Sequence, residues 1–554
     1  VNASRPLETL AGVLAVAAVI LLLFKGAAEQ QAVDPDVWHE MALFREAQRL
    51  GSVPQQDLFA YTPTVNPVVH HEWGMGAVLT AVAKPWGLGG LAALRYGLAL
   101  ATLAVCMWCA RRRGASLAII CPLLIPGLFF SRVAFSPVRA QAVTLFMLAC
   151  LLFFLDADRR GRRAWALPWL VLYVVWLNVH GGFAAGLILF AAHAVEQTVR
   201  RAPSLHLWGL LAAMVALIAV NPYGAHYYSY LWTGLLMDRP LVEEWASLWH
   251  SRADIIAIYV LSLGVLAYVC WRLGPRQPVA KVLCCRKRGI SGQVEAAKRG
   301  ESVVFRVSSP NNELPRKARS PARMTFATGC WALPGLPLVL LTAWAGFSHQ
   351  RHLSLFAVAW MAYVPGYVAA TPLGERLTLL ARRRPGLTAA GWGLLGLAAS
   401  TAWALAHPWH VAVPGRMTAQ SKTQYPVGAV DYLSRMGFTG RLMTHYNDGA
   451  YVSWKLHPQV KVAMDGRYEV AYPHAVVDDV SRLYAARSGW QALLDKYPSD
   501  AVLVRGVHAL SAALSAVPAW RRVYRDDAYE IYAHPDLVLP PEDRRGQELE
   551  ASFP

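Results

Sequence analysis

Over its first four hundred residues the chain alternates long apolar runs with short, mostly basic connectors. The runs cover roughly 8–24, 93–110, 115–130, 140–156, 165–179, 182–198, 206–221, 254–272, 325–346, 353–371 and 387–406. A helix needs ~20 such residues to cross a bilayer, so the pattern predicts a polytopic α-helical membrane protein of about 11 transmembrane helices. Residues 75–88 are apolar but short and carry Lys84 and Pro85, which predicts a helix lying in the outer interface. The first run follows Arg5 and precedes Gly26-Ala27-Ala28, features shared with secretory signals. It is read as a retained span, because the orientation of everything downstream needs no cleavage.

Beyond residue 406 the periodicity changes. Short β-like runs at 441–444, 460–463, 501–504 and 529–533 alternate with helical patterns near 427–436, 473–495 and 507–516. This predicts a soluble α/β domain over 407–554, long enough to bury its own core. No glycine-rich phosphate loop occurs in it, so nucleotide binding of the P-loop or Rossmann kind has no support. The expected organisation is a membrane domain over 1–406, whose first outer loop (26–92) carries interfacial helices, followed by an extracytoplasmic C-terminal domain.

Composition agrees with this picture: 55% of the 554 residues are hydrophobic and 16% charged, unlike an ordinary soluble globule. The net charge of +18 raises nucleic acid as a partner, but the basic residues sit in clusters between spans, where they set orientation instead. With the N-terminus inside, the clusters at 111–113, 159–163, 200–201, 273–324 and 382–384 all fall on the cytosolic face. The 273–324 segment, basic and poor in aromatics, reads as a solvated, disordered cytosolic loop. All eight cysteines lie in spans or on that face, so no extracytoplasmic disulfide framework is expected. Cys106 and Cys109 have metal-motif spacing, but they sit in an apolar helix without a second pair, which argues against zinc or redox chemistry.

With this orientation the polar residues sort by side. The outer face gathers Asp34, Asp36, His39 and Glu40 from one loop, His71 and Glu72 further along it, Arg139, His180, Glu244, and Arg351 with His352 from others. Carboxylates, imidazoles and arginines from five or six loops at one membrane depth are what a catalytic cavity needs. The candidate catalytic acids are Asp36 and Asp34, with His39, His71, Glu72, His180, Glu244, Arg351 and His352 as candidate substrate-binding residues. Plainer readings stand beside these. Asp34 before Pro35 is a good helix cap, and the His71-Glu72-Trp73 segment suits interfacial anchoring. His180 closes a span at a glycine turn, Glu244 suits a solvated loop, and Arg351 and His352 suit any span mouth. Asp36 and His39, three apart on one helix face, can take the same substrate or ion. The polar turns Tyr446-Asn447-Asp448-Gly449 and Asp465-Gly466-Arg467-Tyr468-Glu469 could contact a glycan, though turn chemistry accounts for them too.

Several motifs carry a resemblance: Asp34-Pro35-Asp36-Val37-Trp38-His39-Glu40, the Gly-x-x-Pro-x-x-Asp-x-Phe-x-Tyr-Thr run over 51–62, and His71-Glu72-Trp73. Together with the many spans and the outer α/β domain, they resemble the GT-C superfamily of membrane glycosyltransferases. The closest flavour is the bacterial lipid-linked-sugar transferases related to protein O-mannosyltransferases and aminoarabinose transferases. The likeness covers roughly 8–270 and 325–406, and the C-terminal domain only in position and general character.

The resemblance implies a transferase in the bacterial inner membrane, with its active site and C-terminal domain facing the periplasm. Its donor would be a polyprenyl-phosphate or polyprenyl-diphosphate sugar, its acceptor a hydroxyl on a glycan, lipid or protein. A first-loop carboxylate would take the hydroxyl proton in a direct displacement at the anomeric carbon, and Arg351 would steady the departing lipid phosphate. Relatives carry Asp-Glu or two separated acids where this chain has Asp-Pro-Asp, so Asp36 and Asp34 both stand as the base. A divalent ion, magnesium or manganese, held by Asp34, Asp36 or His39 is compatible with that chemistry, with histidine favouring manganese or zinc. A transporter or lipid flippase would instead place ionisable groups at mid-membrane on broken helices. A membrane assembly protein using its outer domain as a binding module would not need them to converge.

Overall fold

The computed structural model describes residues 4–136, 138–237, 243–273, 333–407, 409, 411–417, 423–549, 551 and 553. Apart from Leu273, the basic 273–324 loop lies outside these residues, as do Cys284, Cys285 and Cys330. Each apolar run is helical over most of its described length. In chain order the helices are α1 (Ser4–Ala27), α2 (Pro35–Leu50), α3 (Trp73–Arg112), α4 (Leu117–Phe135), α5 (Gln141–Arg159), α6 (Ala166–Val179), α7 (Phe183–Val199), α8 (Leu205–Leu217), α9 (His226–Leu236), α10 (Ala253–Leu273), α11 (Leu336–Ser348), α12 (Leu353–Ala369), α13 (Pro372–Arg383) and α14 (Pro385–Leu405).

Among the described residues, six helices are long and apolar enough to cross a membrane, and four apolar helices are shorter. The eleven apolar runs correspond to α1, the second arm of α3, α4 to α8, α10 to α12 and α14. The turn at His180-Gly181-Gly182 parts α6 from α7 where the sequence places it. At about 1.5 Å per residue, α8 and α11 are each about 20 Å long, short of the ~30 Å hydrocarbon core. Residues 75–86 are a short helical arm, as expected. They form the first arm of the 40-residue α3, which is broken at Gly87 (φ 55°, ψ −141°) just after Pro85, where the missing N–H and the positive φ end regular helix.

The bundle is organised around α12, whose side chains are buried on nearly every face because α3, α4, α5 and α11 all pack against it. A helix that is apolar all round belongs in such a position. α1 runs along α14 and α4.

At the end of α5 remote from Gln141, the structure holds a buried ionic network that the sequence reading did not anticipate. Arg159 bonds Glu196 at 2.7 Å and Arg113 meets Asp156 at 3.1 Å. The fully buried His193 lies 3.2 Å from Asp158 and 3.0 Å from Arg159. The backbone N–H of Gly335 donates to Glu196 at 2.9 Å. Charges this deep persist only when paired, and here the pairs tie α3, α5, α7 and the start of α11 together.

The C-terminal part is an α/β unit. Its strands are β1 (Gly440–Met443), β2 (Val460–Val462), β3 (Ala501–Arg505), β4 (Arg521–Arg525), β5 (Tyr529–Ala533) and β6 (Glu542–Asp543), in the sheet order β2-β1-β3-β5-β4-β6. β1 is parallel to β2 and β3, and β5 is antiparallel to both β3 and β4. All four expected strands are present. β4 was missed because Arg521, Arg522 and Arg525 mask its two inward residues, Val523 and Tyr524. The helical pattern over 473–495 resolves into His474–Tyr484 and Gln491–Lys496, parted at Gly489 (φ 79°).

The first loop does not stand apart from this unit. Ala60 bridges Val462 beside β2, with Tyr61 N–H donating to the Val462 carbonyl at 3.1 Å and Val462 N–H to the Phe59 carbonyl at 3.0 Å. Ala32 bridges Ala412 in the same way. α2 lies on the helix Tyr446–Leu456, where Trp38 meets Tyr425 and Tyr451 edge-on at 5.4 and 5.0 Å. The C-terminal unit therefore sits on residues 31–62, directly beside the candidate acids.

Candidate active site

Asp34 does cap α2: its Oδ1 accepts the Asp36 N–H at 3.1 Å, and Pro35 takes the first helical position. Its Oδ2 accepts from Arg139 Nε at 2.9 Å, and Arg139 Nη1 reaches Glu244 Oε1 at 3.0 Å. Arg139 thus bridges the α2 cap and the turn at 243–245. Burial pushes the Asp34 carboxyl up to about 7, restrained by Arg139. Burial also raises Asp36, again restrained by Arg139. The two aspartates differ in freedom. Asp34 is 3% exposed with both oxygens engaged, whereas Asp36 is half-buried and makes no direct ion pair among the described residues.

One turn further along α2, His39 and Glu40 face the start of α3. The close approach depends on Gly76, where a Cβ would overlap the Glu40 carbonyl, and on Gly74, where it would press on the Asn178 carbonyl. These two glycines set Glu72 between α2 and the α6–α7 turn. Glu72 Oε1 then meets His180 Nε2 at 3.2 Å and His71 Nε2 at 3.4 Å.

The His180 tautomer follows from its partners. Nδ1 accepts the Gly182 N–H at 2.9 Å and lies 2.7 Å from Thr144 Oγ1, which itself accepts from Trp176 Nε1 at 2.9 Å. The proton therefore sits on Nε2 and is donated to Glu72. His71 is held on its other side by Tyr230, at 2.8 Å from Nδ1. Burial drives His180 down to about 4, so it is neutral at pH 7.

Glu40 and Glu72 form a buried carboxyl pair. Burial lifts Glu40 well above the ordinary range, and the neighbouring Glu72 adds to it. Burial opposes ionisation of Glu72 as well, but His71, His180 and a hydrogen bond with Glu40 hold it well below the ordinary range. The pair shares one proton, carried by Glu40. With both groups ionised, neither Glu40 oxygen has a hydrogen-bond donor.

His39 links this pair to the C-terminal unit, with Asp465 and Arg467 among the charges acting on it from one side and Glu72 and His71 from the other. Burial lowers it to about 4. Arg467 bonds Asp465 through Nε at 2.9 Å and Asp57 through Nη1 at 2.7 Å. The turn at 465–469, read from the sequence as a possible glycan contact, is thus partly spent on locking the first loop.

Arg351 stacks over the Trp245 ring at 4.7 Å, with His349 and His352 edge-on to the same indole at 5.2 and 5.7 Å. Gln141 Nε2 ties this turn to α5, through the Arg351 carbonyl at 3.4 Å and Ser354 Oγ at 3.3 Å. Arg351 and Arg139 both act on His180.

Asp34, Asp36, His39, His71, Glu72, His180, Glu244 and Arg351 thus lie in one connected polar cluster at one end of the bundle, with His352 at its rim beside Trp245. A surface cavity of about 450 Å³ between Tyr61, Arg441 and Tyr497 lies elsewhere, on the C-terminal unit. The cluster also includes Glu40, Arg139, Thr144, Tyr230 and Arg467, none of which the sequence reading placed among the site residues. Asp57 in the 51–62 motif and Arg467 in a polar turn carried the only signals of their partnership.

The trio considered for a divalent ion, Asp34, Asp36 and His39, is not the grouping that comes together. Asp34 is committed to Arg139. Among the described residues, the set with donor atoms within 4.8 Å of one another is His39, Glu40 and Glu72. His39 Nδ1 is buried without a hydrogen-bond partner, and Glu40 is hydrogen-bonded with Glu72. One imidazole and two carboxylates fit a borderline divalent ion.

Fold and site define an integral membrane protein, a polytopic helical bundle that carries an α/β C-terminal unit. No family model and no curated protein matches the chain. Among solved structures, ArnT from Cupriavidus metallidurans bound to undecaprenyl phosphate is similar over 94% of this chain and 97% of its own, with a TM-score of 0.51 at 13% identity. The Archaeoglobus fulgidus oligosaccharyltransferase in its apo form matches over 97% of this chain and 75% of its own, with a TM-score of 0.46 at 13% identity.

Proposed function

We propose that this protein is a glycosyltransferase that moves a sugar from a polyprenyl-phosphate-linked donor to an acceptor hydroxyl, with Asp36 as the base. The observation that carries the reading is the convergence of carboxylates, imidazoles and arginines from six separate segments on one end of a GT-C-type bundle. The five basic clusters support placing that end, and the C-terminal unit over 407–554, on the periplasmic side of a bacterial inner membrane. Undecaprenyl phosphate in the ArnT structure supports a lipid phosphate as the donor's carrier.

In this mechanism Asp36 takes the acceptor O–H proton as the oxygen attacks the anomeric carbon. The bond from that carbon to the phosphate oxygen breaks, and polyprenyl phosphate leaves. A raised carboxyl pKa suits a base working near neutral pH, and such a base contributes about 10²–10⁴-fold. Arg351, stiffened by Trp245, supplies positive charge for the leaving phosphate. Arg139 is already shared between Asp34 and Glu244, so its part is to hold the α2 start in place. His71, Glu72 and His180 present ordered polar atoms to the sugar. A divalent ion, if bound, would be held by His39, Glu40 and Glu72 and would supply further neutralisation of phosphate charge.

The test is consumption of a radiolabelled polyprenyl-phosphate sugar in vesicles carrying the protein. Wild type should consume donor, and Asp36→Asn should lose at least 100-fold while unfolding at the same temperature. Equal rates for the two would remove Asp36 as base, and no consumption of any such donor by wild type would sink the function.

A further inference from the structure

We propose that the groove between α13 and α14, at the end of the bundle opposite the candidate active site, is a seat for one anionic diacyl phospholipid. α12 runs from the rim of the polar cluster at Leu353 to Ala369, and α13 follows at once. Thr371 caps α13 by accepting the Gly374 N–H at 3.3 Å, and Pro372 stands in its first turn. At about 1.5 Å per residue its 12 residues reach about 18 Å, and they include Glu375, Arg376, Arg382 and Arg383. Too short and too charged to cross a bilayer, such a helix belongs in the membrane interface.

One face of α13 is docked and another is open. Gly374 lies so close to α12 that a Cβ there would overlap the Val368 carbonyl, and Thr378 Oγ1 is 3.1 Å from Ser116 Oγ beside the start of α4. Leu373, Leu377 and Leu380 follow a spacing of four and three, so they share a second face, which Arg384 extends past the helix end. Leu380 and, from α14, Leu387 are 59% and 65% exposed. Leu377, Leu380, Leu387, Ala118 and Trp392 line an open groove of about 360 Å³, with Arg384 in its wall. In a chain embedded in a bilayer an acyl chain fills such a groove, and the indole of Trp392 suits the headgroup level.

Charge selects the headgroup. Arg382, Arg383 and Arg384 are consecutive and exposed, and none makes an ion pair among the described residues. Glu375, the one carboxylate of α13, lies in its first turn, away from them. Guanidinium groups take phosphate oxygens in paired hydrogen bonds, and each arginine beside an anionic surface strengthens attachment about fivefold. A zwitterionic lipid offers the same chains and phosphate but brings an ammonium that three clustered arginines repel. The seat therefore distinguishes phosphatidylglycerol from phosphatidylcholine, and it stands apart from the proposed transfer reaction.

The experiment mixes the full chain in detergent with equal amounts of dioleoyl phosphatidylglycerol and dioleoyl phosphatidylcholine and counts bound lipid by native mass spectrometry. Wild type should retain one phosphatidylglycerol with a preference of about tenfold or more. Raising ammonium acetate from about 0.1 M to about 1 M should lower that preference. Arg382→Gln, Arg383→Gln and Arg384→Gln together should bring it within about threefold of parity. Leu380→Ser with Leu387→Ser should weaken both lipids alike. Arg162→Gln, at an exposed arginine between α5 and α6, should leave the preference as it is. Equal retention of the two lipids by wild type overturns the proposal. So does a preference that survives the triple substitution, one that falls equally in Arg162→Gln, or unaltered binding in the leucine variant. Where a variant fails to fold, the wild-type preference and its salt dependence decide. A chain that keeps this preference but consumes no lipid-linked sugar retains the seat and loses the transferase reading.

Discussion

Arg467→Met should unlatch the C-terminal unit from the first loop. Arg467 is 6% exposed and is the cation for two carboxylates, Asp465 and Asp57, whose side chains are 1–2% exposed. Asp57 also accepts the N–H groups of Phe59 (3.0 Å) and Ala60 (2.6 Å), which fixes the strand that bridges β2. Removing one partner of such a buried group costs about 3–5 kcal/mol. A second route gives the same figure. Without Arg467 a carboxyl must take up a proton, which at pH 7 costs about 1.4 kcal/mol for each of the ~3 units above an ordinary Asp pKa, about 4 kcal/mol in all. Variant and wild type should differ in their pH dependence. Burial alone would raise Asp57, but Arg467 holds it below the ordinary range. The wild-type stabilisation is therefore fully present above about pH 4 and is lost only as pH falls through the depressed folded value. The variant's deficit should shrink by about 1.4 kcal/mol per carboxyl for each unit of acidification from pH 7. Thermal unfolding in detergent, with limited proteolysis of the 51–62 segment, reads both. A drop of roughly 10 °C at pH 7 that narrows at pH 5 is expected. A variant within about 1 kcal/mol of wild type at pH 7, or a deficit that widens on acidification, would refute the reasoning.

Four further outcomes follow from the same geometry. Asp34→Asn should lower stability by about 1 kcal/mol through its cap and its bond to Arg139, whereas Asp36→Asn should alter transfer alone; donor consumption and unfolding temperature separate them. Arg139→Gln should destabilise by about 3–5 kcal/mol because buried Asp34 loses its cation, and adding Asp34→Asn should recover part of that loss in the same melt. Gly76→Ala should cost about 1–3 kcal/mol by forcing α2 from α3, read as a lower unfolding temperature. His445 caps the helix Tyr446–Leu456 by accepting the Asn447 N–H at 3.4 Å, and burial lowers it to about 4. Because the unfolded chain protonates first, at ~6.5, stability should fall as pH drops from there toward 4, by up to about 2 kcal/mol at pH 5. His445→Asn, which keeps a capping acceptor, should flatten that slope in a pH series of melts.

Several features were legible from local pattern alone. Each apolar run is helix over most of its described length because burying such a run demands it, and 529–533 is a strand with the predicted ends because tyrosines and isoleucine there suit a pleated, buried sheet. The Asp34-Pro35 helix start needs only its immediate neighbours, and it formed as read. Other features were hidden for identifiable reasons. β4 was hidden by its arginines. Asp156, Asp158 and Glu196 looked like minor charges beside basic connectors, since nothing in the linear order shows that Arg113, Arg159 and His193 would neutralise them inside the bundle.

The sequence by itself determined the membrane class, the order of helices and strands, and which polar residues were available for chemistry, because these depend on periodicity and on preferences acting over a few positions. Only the tertiary structure decided who partners whom. Asp57 and Arg467 lie 410 residues apart, and Glu72 meets His180 across 108 positions (180 − 72). Asp34, the stronger local motif, is spent on Arg139, while Asp36 makes no direct ion pair among the described residues and Glu40 is buried against Glu72. Those outcomes follow from desolvation and pairing in the packed interior, where the cost of an unpartnered charge is set by every segment that closes over it.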